Sequence, residues 1–302
     1  MGIDIGVLLP NIGHLGNDLP GMADVARHAE DVGLDSVWSG DHLSMGGIPL
    51  LECTLTLAAA AAVTTRIRLG FSVMLVAARP LVWAARQLGT LQYLSNNRIE
   101  FGVGTGAKWA EEWYASGVPL RERGRRTDEF LRLLPELLAG RPTKLLGLPK
   151  QPEVTLRPPV PVPPIWVGGR SERSMRRTAE YCTGWLTTIS TPAEIRTAAG
   201  RLAELAAEHG RPMPRIGTMI YAKIAARPDP DLTESMARSL SDAYRLPIEH
   251  TRQVVVGGDP RQTAEGLARH MEAGVDQFVV ALEGGNWREQ YELLAEARAL
   301  LV

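Results

Sequence analysis

Only two cysteines occur in the 302 residues, Cys53 and Cys182. Each falls inside a helical pattern, and neither belongs to a closely spaced Cys/His cluster. That excludes a zinc site and a disulfide framework, so no metal is expected, and a reducing cytoplasm is the simplest compartment. An excess of charge of one sign is lacking as well. Lys and Arg number 33 against 34 Asp and Glu, a formal net charge of -1. Neither nucleic acid nor an anionic membrane surface is then expected as partner. No apolar run is long enough to cross a bilayer, and the alanines from Ala58 to Ala62 sit in a short one. The opening residues, Met1-Gly2-Ile3-Asp4-Ile5-Gly6, lack the basic region, apolar stretch and cleavage site of a signal peptide. Gly2 also lacks the Ser or Thr that myristoylation needs.

What is present is a 45% share of hydrophobic residues, enough to bury a sizeable core. Length alone suits two small domains or one large barrel. The pattern chooses between them. Strand-like apolar runs cover Ile3–Leu9, Ser36–Gly40, Ile67–Leu75, Arg98–Val103, Ile165–Val167, Gly184–Ile189, Ile216–Ala225 and Gln277–Leu282. Between them lie helical patterns over Asp18–Gly33, Leu50–Thr64, Pro80–Leu94, Arg123–Leu138, Ser171–Cys182, Pro192–Glu208, Thr263–Ala273 and Trp287–Leu301. The first ends on a Gly, and the one from Pro192 opens after Thr191 as N-cap. Gly140–Pro164 is rich in Pro and Gly and reads as a long connection or a small hairpin insertion. Arg227–His250 reads as an excursion with some helical character. Eight strands, each followed by a helix, predict an α/β fold, a (β/α)8 barrel formed as one domain over residues 1–302. The competing arrangement is an open doubly wound sheet. Leu50–Thr64 is apolar nearly all round, which suits burial against the Gly140–Pro164 segment or a second subunit.

In such barrels chemistry sits where strands end. Asp41-His42 ends the second strand. An imidazole exchanges protons near neutral pH, and a carboxylate orients it or holds a donor on a cofactor; the plainer alternative is a loop cap beside a turn. Ser72-Val73-Met74 ends the third strand. Gly102, Gly104, Thr105 and Gly106 form a glycine-rich fourth end, which reads as room for a flat ring or as steric relief. Gly168-Gly169-Arg170-Ser171 precedes a helix and reads as a phosphate cradle or a tight turn. Thr187-Thr188 ends the sixth strand. Trp109, Trp113 and Tyr114 either roof a pocket or pack a helix. Arg79 reads as a surface side chain that snorkels. His14, His28, His209, His250 and His270 read as structural or solvated.

These stretches together resemble the bacterial luciferase-like superfamily of flavin- and deazaflavin-dependent oxidoreductases. The resemblance rests on Glu30 to Trp38 leading to Asp41-His42, on Arg79-Pro80 with Thr90-Leu91 and Leu94-Ser95, on Arg98 to Gly106, and on Pro164 to Gly169 with Gly184-Trp185. It implies a barrel, usually dimeric, so a homodimer is expected, with a small-molecule substrate. It implies a cis peptide at Ser72-Val73, a ring-contacting and proton-handling role for Asp41 and His42, ring contacts from Thr105 and Gly106, and a phosphate turn at Gly168, Gly169 and Ser171. Two cofactors compete, coenzyme F420 and FMN. Ser72-Val73 and Gly104-Thr105-Gly106 are closer to the F420-dependent branch, especially its sugar-phosphate dehydrogenases. Those carry a glutamate directly after Gly-Thr-Gly, where this chain has Ala107. The reading is therefore an F420-dependent reductase or dehydrogenase acting on another substrate. An FMN-dependent monooxygenase is the alternative, and a non-catalytic cofactor-binding barrel the remoter one.

Overall fold

The computed structural model describes residues 2–13, 19–106 and 109–301. In chain order its elements are β1 (Asp4–Leu8), α1 (Met22–Asp31), β2 (Ser36–Ser39), α2 (Cys53–Val63), β3 (Arg68–Phe71), α3 (Leu81–Leu94), β4 (Ile99–Val103), α4 (Ala110–Ala115) and α5 (Arg123–Leu138). Next come β5 (Thr143–Lys144), β6 (Glu153–Val154), β7 (Ile165–Gly168), α6 (Glu172–Tyr181), β8 (Gly184–Thr188), α7 (Pro192–Glu208) and β9 (Arg215–Ile224). The chain closes with α8 (Pro230–Tyr244), α9 (Ile248–Val254), β10 (Val255–Gly258), α10 (Pro260–Met271), β11 (Gln277–Leu282) and α11 (Trp287–Ala299).

Eight strands close into a parallel ring in the order β1, β2, β3, β4, β7, β8, β9, β11, with β11 returning to β1. This is the (β/α)8 barrel read from the sequence, and the open sheet is excluded by the β8–β9 and β1–β11 pairings. The Gly140–Pro164 segment is the hairpin alternative, since β5 and β6 pair antiparallel. The Arg227–His250 excursion resolves into α8 and the start of α9, and just beyond it lies β10, a strand the sequence reading missed. β10 pairs with Tyr221–Ile224, the half of β9 that extends beyond its partner β8. The Asp18 start expected for the first helix lies outside the described residues; the helix itself begins at Met22.

Local chemistry sets the boundaries. Thr191 accepts from the Glu194 amide while Glu194 reaches back to the Thr191 amide, and Asp259 and Gln262 do the same for α10. Gly33 follows α1 at φ +86°, a left-handed conformation that glycine adopts without strain.

The ring has no lumen at its lower end. Trp38 and Trp166 fill it edge to face, with ring centroids 6.4 Å apart, alongside Leu186 and Val279. Neighbouring strands carry glycine where the indoles press. A Cβ at Gly70 would overlap the Trp38 ring, and one at Gly184 the Trp166 ring. Below them the strand starts form an ion network. Asp4 pairs with Arg68 at 2.6 Å and Arg215 at 2.9 Å, Arg215 with Asp276 at 3.2 Å, and Arg68 with Glu100 at 3.3 Å. Glu100 also accepts the Trp166 indole N–H at 2.7 Å. Side chains and charge pairs thus fill this end, and access is from the opposite end, where the strands finish.

Candidate active site

β1 and β2 deliver the central pair. Asn11, just past β1, donates from Nδ2 to the Gly40 carbonyl (2.9 Å) and accepts the Gly40 amide (3.1 Å). This double bond fixes the turn that presents Asp41 and His42. The two residues then part. Asp41 is almost fully buried and His42 is about one quarter exposed at its side chain.

The Asp41 carboxylate is spoken for by the protein itself. Its Oδ2 accepts from the Leu75 amide at 2.8 Å and from Arg79 Nη1 at 2.7 Å, and its Oδ1 accepts from Arg79 Nη2 at 2.8 Å. Arg79 Nη2 also reaches Glu52 at 3.2 Å. The reading of Arg79 as a snorkelling surface residue is therefore corrected: it makes a bidentate pair with a buried carboxylate. Burial works against the Arg79 charge, but the bonds to Asp41 outweigh it and hold its pKa above the ordinary value. Beside them, burial and then the charges of Asp41 and Glu52 push the Cys53 thiol up, keeping it protonated. Donor atoms of Asp41, Glu52 and Cys53 lie within 4.8 Å of one another, and the cation serving them is Arg79.

His42 has a different partner. Its Nδ1 lies 3.1 and 3.2 Å from the two carboxylate oxygens of Glu112, and the Leu43 amide donates to Glu112 Oε2 at 3.1 Å. Glu112 belongs to α4 and is only 3% exposed. The sequence reading did not single it out. The available signal was the acid pair Glu111-Glu112 shortly after the fourth strand end.

Behind this pair runs the chain after β3. The Ser72–Val73 peptide is cis. The Ser72 amide donates to the Ser39 carbonyl at 2.9 Å, and the Met74 amide to Gly102 at 2.8 Å. Ser72 Oγ meets Met219 Sδ across the ring at 3.9 Å, and Val73 packs with the inner cluster. Met74, expected at the cofactor, buries its side chain in the main core outside the ring. The glycines in and just after β4 make room for this segment. A Cβ at Gly102 would strike the Phe71 carbonyl, and one at Gly104 would overlap Val73. Of the two readings of that strand end, steric relief is the one realised at Gly102 and Gly104. Thr105 and Gly106 are half-buried at the rim, and a Cβ at Gly106 would come within 2.9 Å of Trp113. Trp113 is buried against Ala77 and Val118, so it packs rather than roofs; Tyr114 is exposed. Ala107 and Lys108 lie outside the described residues.

On the facing part of the rim, a Cβ at Gly168 would press on Val73 at 3.0 Å, and Gly169 turns at φ +125°. Ser171 caps α6 by accepting the Ser174 amide at 3.2 Å. Arg170 donates to the Ile189 carbonyl at 2.9 Å, which ties it to the next loop. Thr188 follows Leu186 on the inward face of β8, and its buried Oγ1 has no hydrogen-bond partner among the described residues. His28, by contrast, packs on Trp287 and Tyr291, and His270 is buried in α10, as structural histidines do. His14 lies outside the described residues.

The chain is 35% identical over 179 residues to an uncharacterized protein of Mycobacterium tuberculosis, a match covering 58% of this chain and 61% of that one. It therefore spans about three fifths of that relative's length. It is 28% identical to an F420-dependent glucose-6-phosphate dehydrogenase of Microbacterium testaceum, over 89% of each chain. Among solved structures, an F420-dependent secondary alcohol dehydrogenase in complex with an F420-acetone adduct superposes over the whole of both chains with a TM-score of 0.84 at 16% identity. Residues 4–301 match the luciferase-like monooxygenase family, and the chain belongs to that family.

Proposed function

We propose that the protein is an F420-dependent oxidoreductase that passes a hydride between the deazaflavin and a small organic substrate, with His42 exchanging the accompanying proton. The observation carrying this reading is the rim itself. A partly exposed imidazole, a Gly-Gly-Arg-Ser turn opening a helix, and a Thr188 hydroxyl without a partner among the described residues gather at the open end of the barrel. These residues fit a phosphate-bearing ring cofactor. Gly169 lets the backbone approach closely, a helix start such as that of α6 favours an anion, and Thr188 offers a hydrogen bond to a polar ring edge. The membership of F420-dependent dehydrogenases among the relatives supports the deazaflavin over FMN.

The bound deazaflavin would accept or give the hydride. The chain does the rest. Gly168 to Ser171 hold the phosphate, Thr105 and Gly106 line the ring, Val73 backs it, and His42 takes up or releases a proton. We assign Asp41 the task of fixing the strap from Ser72 to Arg79, in place of a direct cofactor contact. The fold's barrel interior admits no access from below, so substrate enters past His42 from the rim. We also infer a homodimer built on α2 and α3.

Titration with F420 and, separately, with FMN tests the cofactor. Saturable F420 binding with none for FMN is expected, and the reverse result sinks the reading in favour of the FMN-dependent monooxygenase. His42→Ala should leave F420 affinity within about threefold and lower turnover by about 10²-fold or more, the usual worth of general acid–base catalysis.

A further inference from the structure

His42 and Glu112 form a pair whose protonation is dictated by geometry. Glu112 is 3% exposed, and a carboxylate that deep must be met by donors. One donor is the Leu43 amide at 3.1 Å. The other is His42 Nδ1, within 3.2 Å of both oxygens. A bare Nδ1 would set its lone pair against the carboxylate lone pairs and leave Oε1 without a donor among the described residues. Nδ1 therefore carries a proton in the neutral and in the charged imidazole alike, and only Nε2 is left to change its protonation state.

We propose that Glu112 is the positioning residue of His42, fixing the Nδ1–H tautomer so that Nε2 is the atom that exchanges a proton with the substrate. The proposal rests on the hydride-transfer reading above. In the oxidative direction, a substrate C–H bond would break with its electron pair, and a bound deazaflavin would supply the acceptor for that hydride. A neighbouring O–H or N–H bond breaks at the same carbon centre's heteroatom, its proton goes to Nε2, and a C=O or C=N bond forms. Reduction runs the same exchange backwards. The chain has Ala107 where the sugar-phosphate dehydrogenases it resembles keep a glutamate; a carboxylate reaches the proton-handling residue from α4 instead.

Long-range ¹H–¹⁵N NMR of the His42 ring, on the full chain without cofactor, reads the tautomer directly. The wild-type protein should show the Nδ1–H pattern, and Glu112→Gln and Glu112→Ala should lose it. An Nε2–H pattern in the wild type, or one unchanged in both variants, overturns the proposal. Glu112→Gln can keep the Leu43 bond through its amide oxygen, so it guards against a misfolded Glu112→Ala. In F420-linked turnover Glu112→Gln should lower kcat about 10- to 100-fold with KM within about threefold, and Glu112→Asp should restore part of it. Unchanged kcat in Glu112→Gln overturns the proposal while leaving the F420 reading intact. Absence of F420 turnover in the wild type refutes that reading, and the NMR result still decides the role of Glu112.

Discussion

At the scale of single residues, the site turns on which charges find partners. Asp41 and His42 are adjacent in sequence yet serve separate networks. Asp41 faces inward to Arg79 and the Leu75 amide, and His42 faces Glu112. The Asp41–Arg79 pair holds two elements together, the end of β2 and the strap after β3. Removing one member of a buried pair leaves the other uncompensated, which costs about 3–5 kcal/mol when burial is complete. Arg79 keeps Glu52 and is partly exposed, so Asp41→Asn should cost about 2–3 kcal/mol in urea unfolding. A loss below about 0.5 kcal/mol would show that the strap is held by other contacts. Asp41 and His42 were legible because a titratable pair at a strand end is exceptional. Arg79 and Glu112 were not, because their partners lie 38 and 70 positions away. An arginine read without its partner looks like any solvated arginine.

At the scale of elements, the ring strands could be read because they are buried on both faces, which leaves continuous apolar runs such as Phe278–Leu282. β10 and the β5–β6 hairpin could not. They are two to four residues long, too short for any period to register. The glycine-rich end of β4 was legible as a special place, but its purpose was not. Only the fold shows that Val73 of the neighbouring chain segment fills the space the missing side chains leave. β4 also supplies a pH-dependent term at the closed end. Burial raises the Glu100 pKa above its model-peptide value of 4.5, although Trp166, Arg68 and Arg215 oppose the shift. With the folded pKa raised, the native state binds the proton more tightly than the unfolded chain. The contribution of Glu100 is then fully present below about pH 4.5 and is lost as pH rises through the raised folded value. Glu100→Gln keeps an acceptor for the Trp166 N–H and carries no charge to bury. The stability of Glu100→Gln relative to wild type should therefore improve between pH 4.5 and pH 8, as followed by urea unfolding at each pH. A relative stability that worsens with rising pH would mean that the Arg68 pair outweighs desolvation.

At the scale of the whole molecule, one face of the barrel is unlike the rest. α2 has no charged residue between Cys53 and Val63. One side packs on the ring through Cys53, Leu57, Ala60 and Ala61, while Leu55, Ala59 and Ala62 face solvent. α3 packs beside it and exposes Trp83, Tyr93 and Leu94, with Leu51 at the start of α2 completing the surface. Trp83 and Leu55 are about two thirds and nearly three quarters exposed, a poor arrangement for a monomer in water. A second copy brings an identical face with no charge on α2 and only Arg86 on α3, so a twofold axis would pair like with like at little cost in buried charge. Large aromatic and leucine side chains near the centre of such a patch carry most of its binding energy. Leu55→Asp with Trp83→Asp puts two charges on each face, opposite their own copies. The wild-type protein should run in light scattering at twice the 32.9 kDa chain mass, and the double variant at the chain mass. Neither residue touches the rim residues described above, so the variant should keep its F420 affinity. A wild-type monomer, or a double variant that stays dimeric, would refute α2 and α3 as the interface. A monomer that also lost F420 binding would instead show that pairing holds Glu52, at the start of α2, and Arg79, at the end of the strap, in the arrangement that positions Asp41.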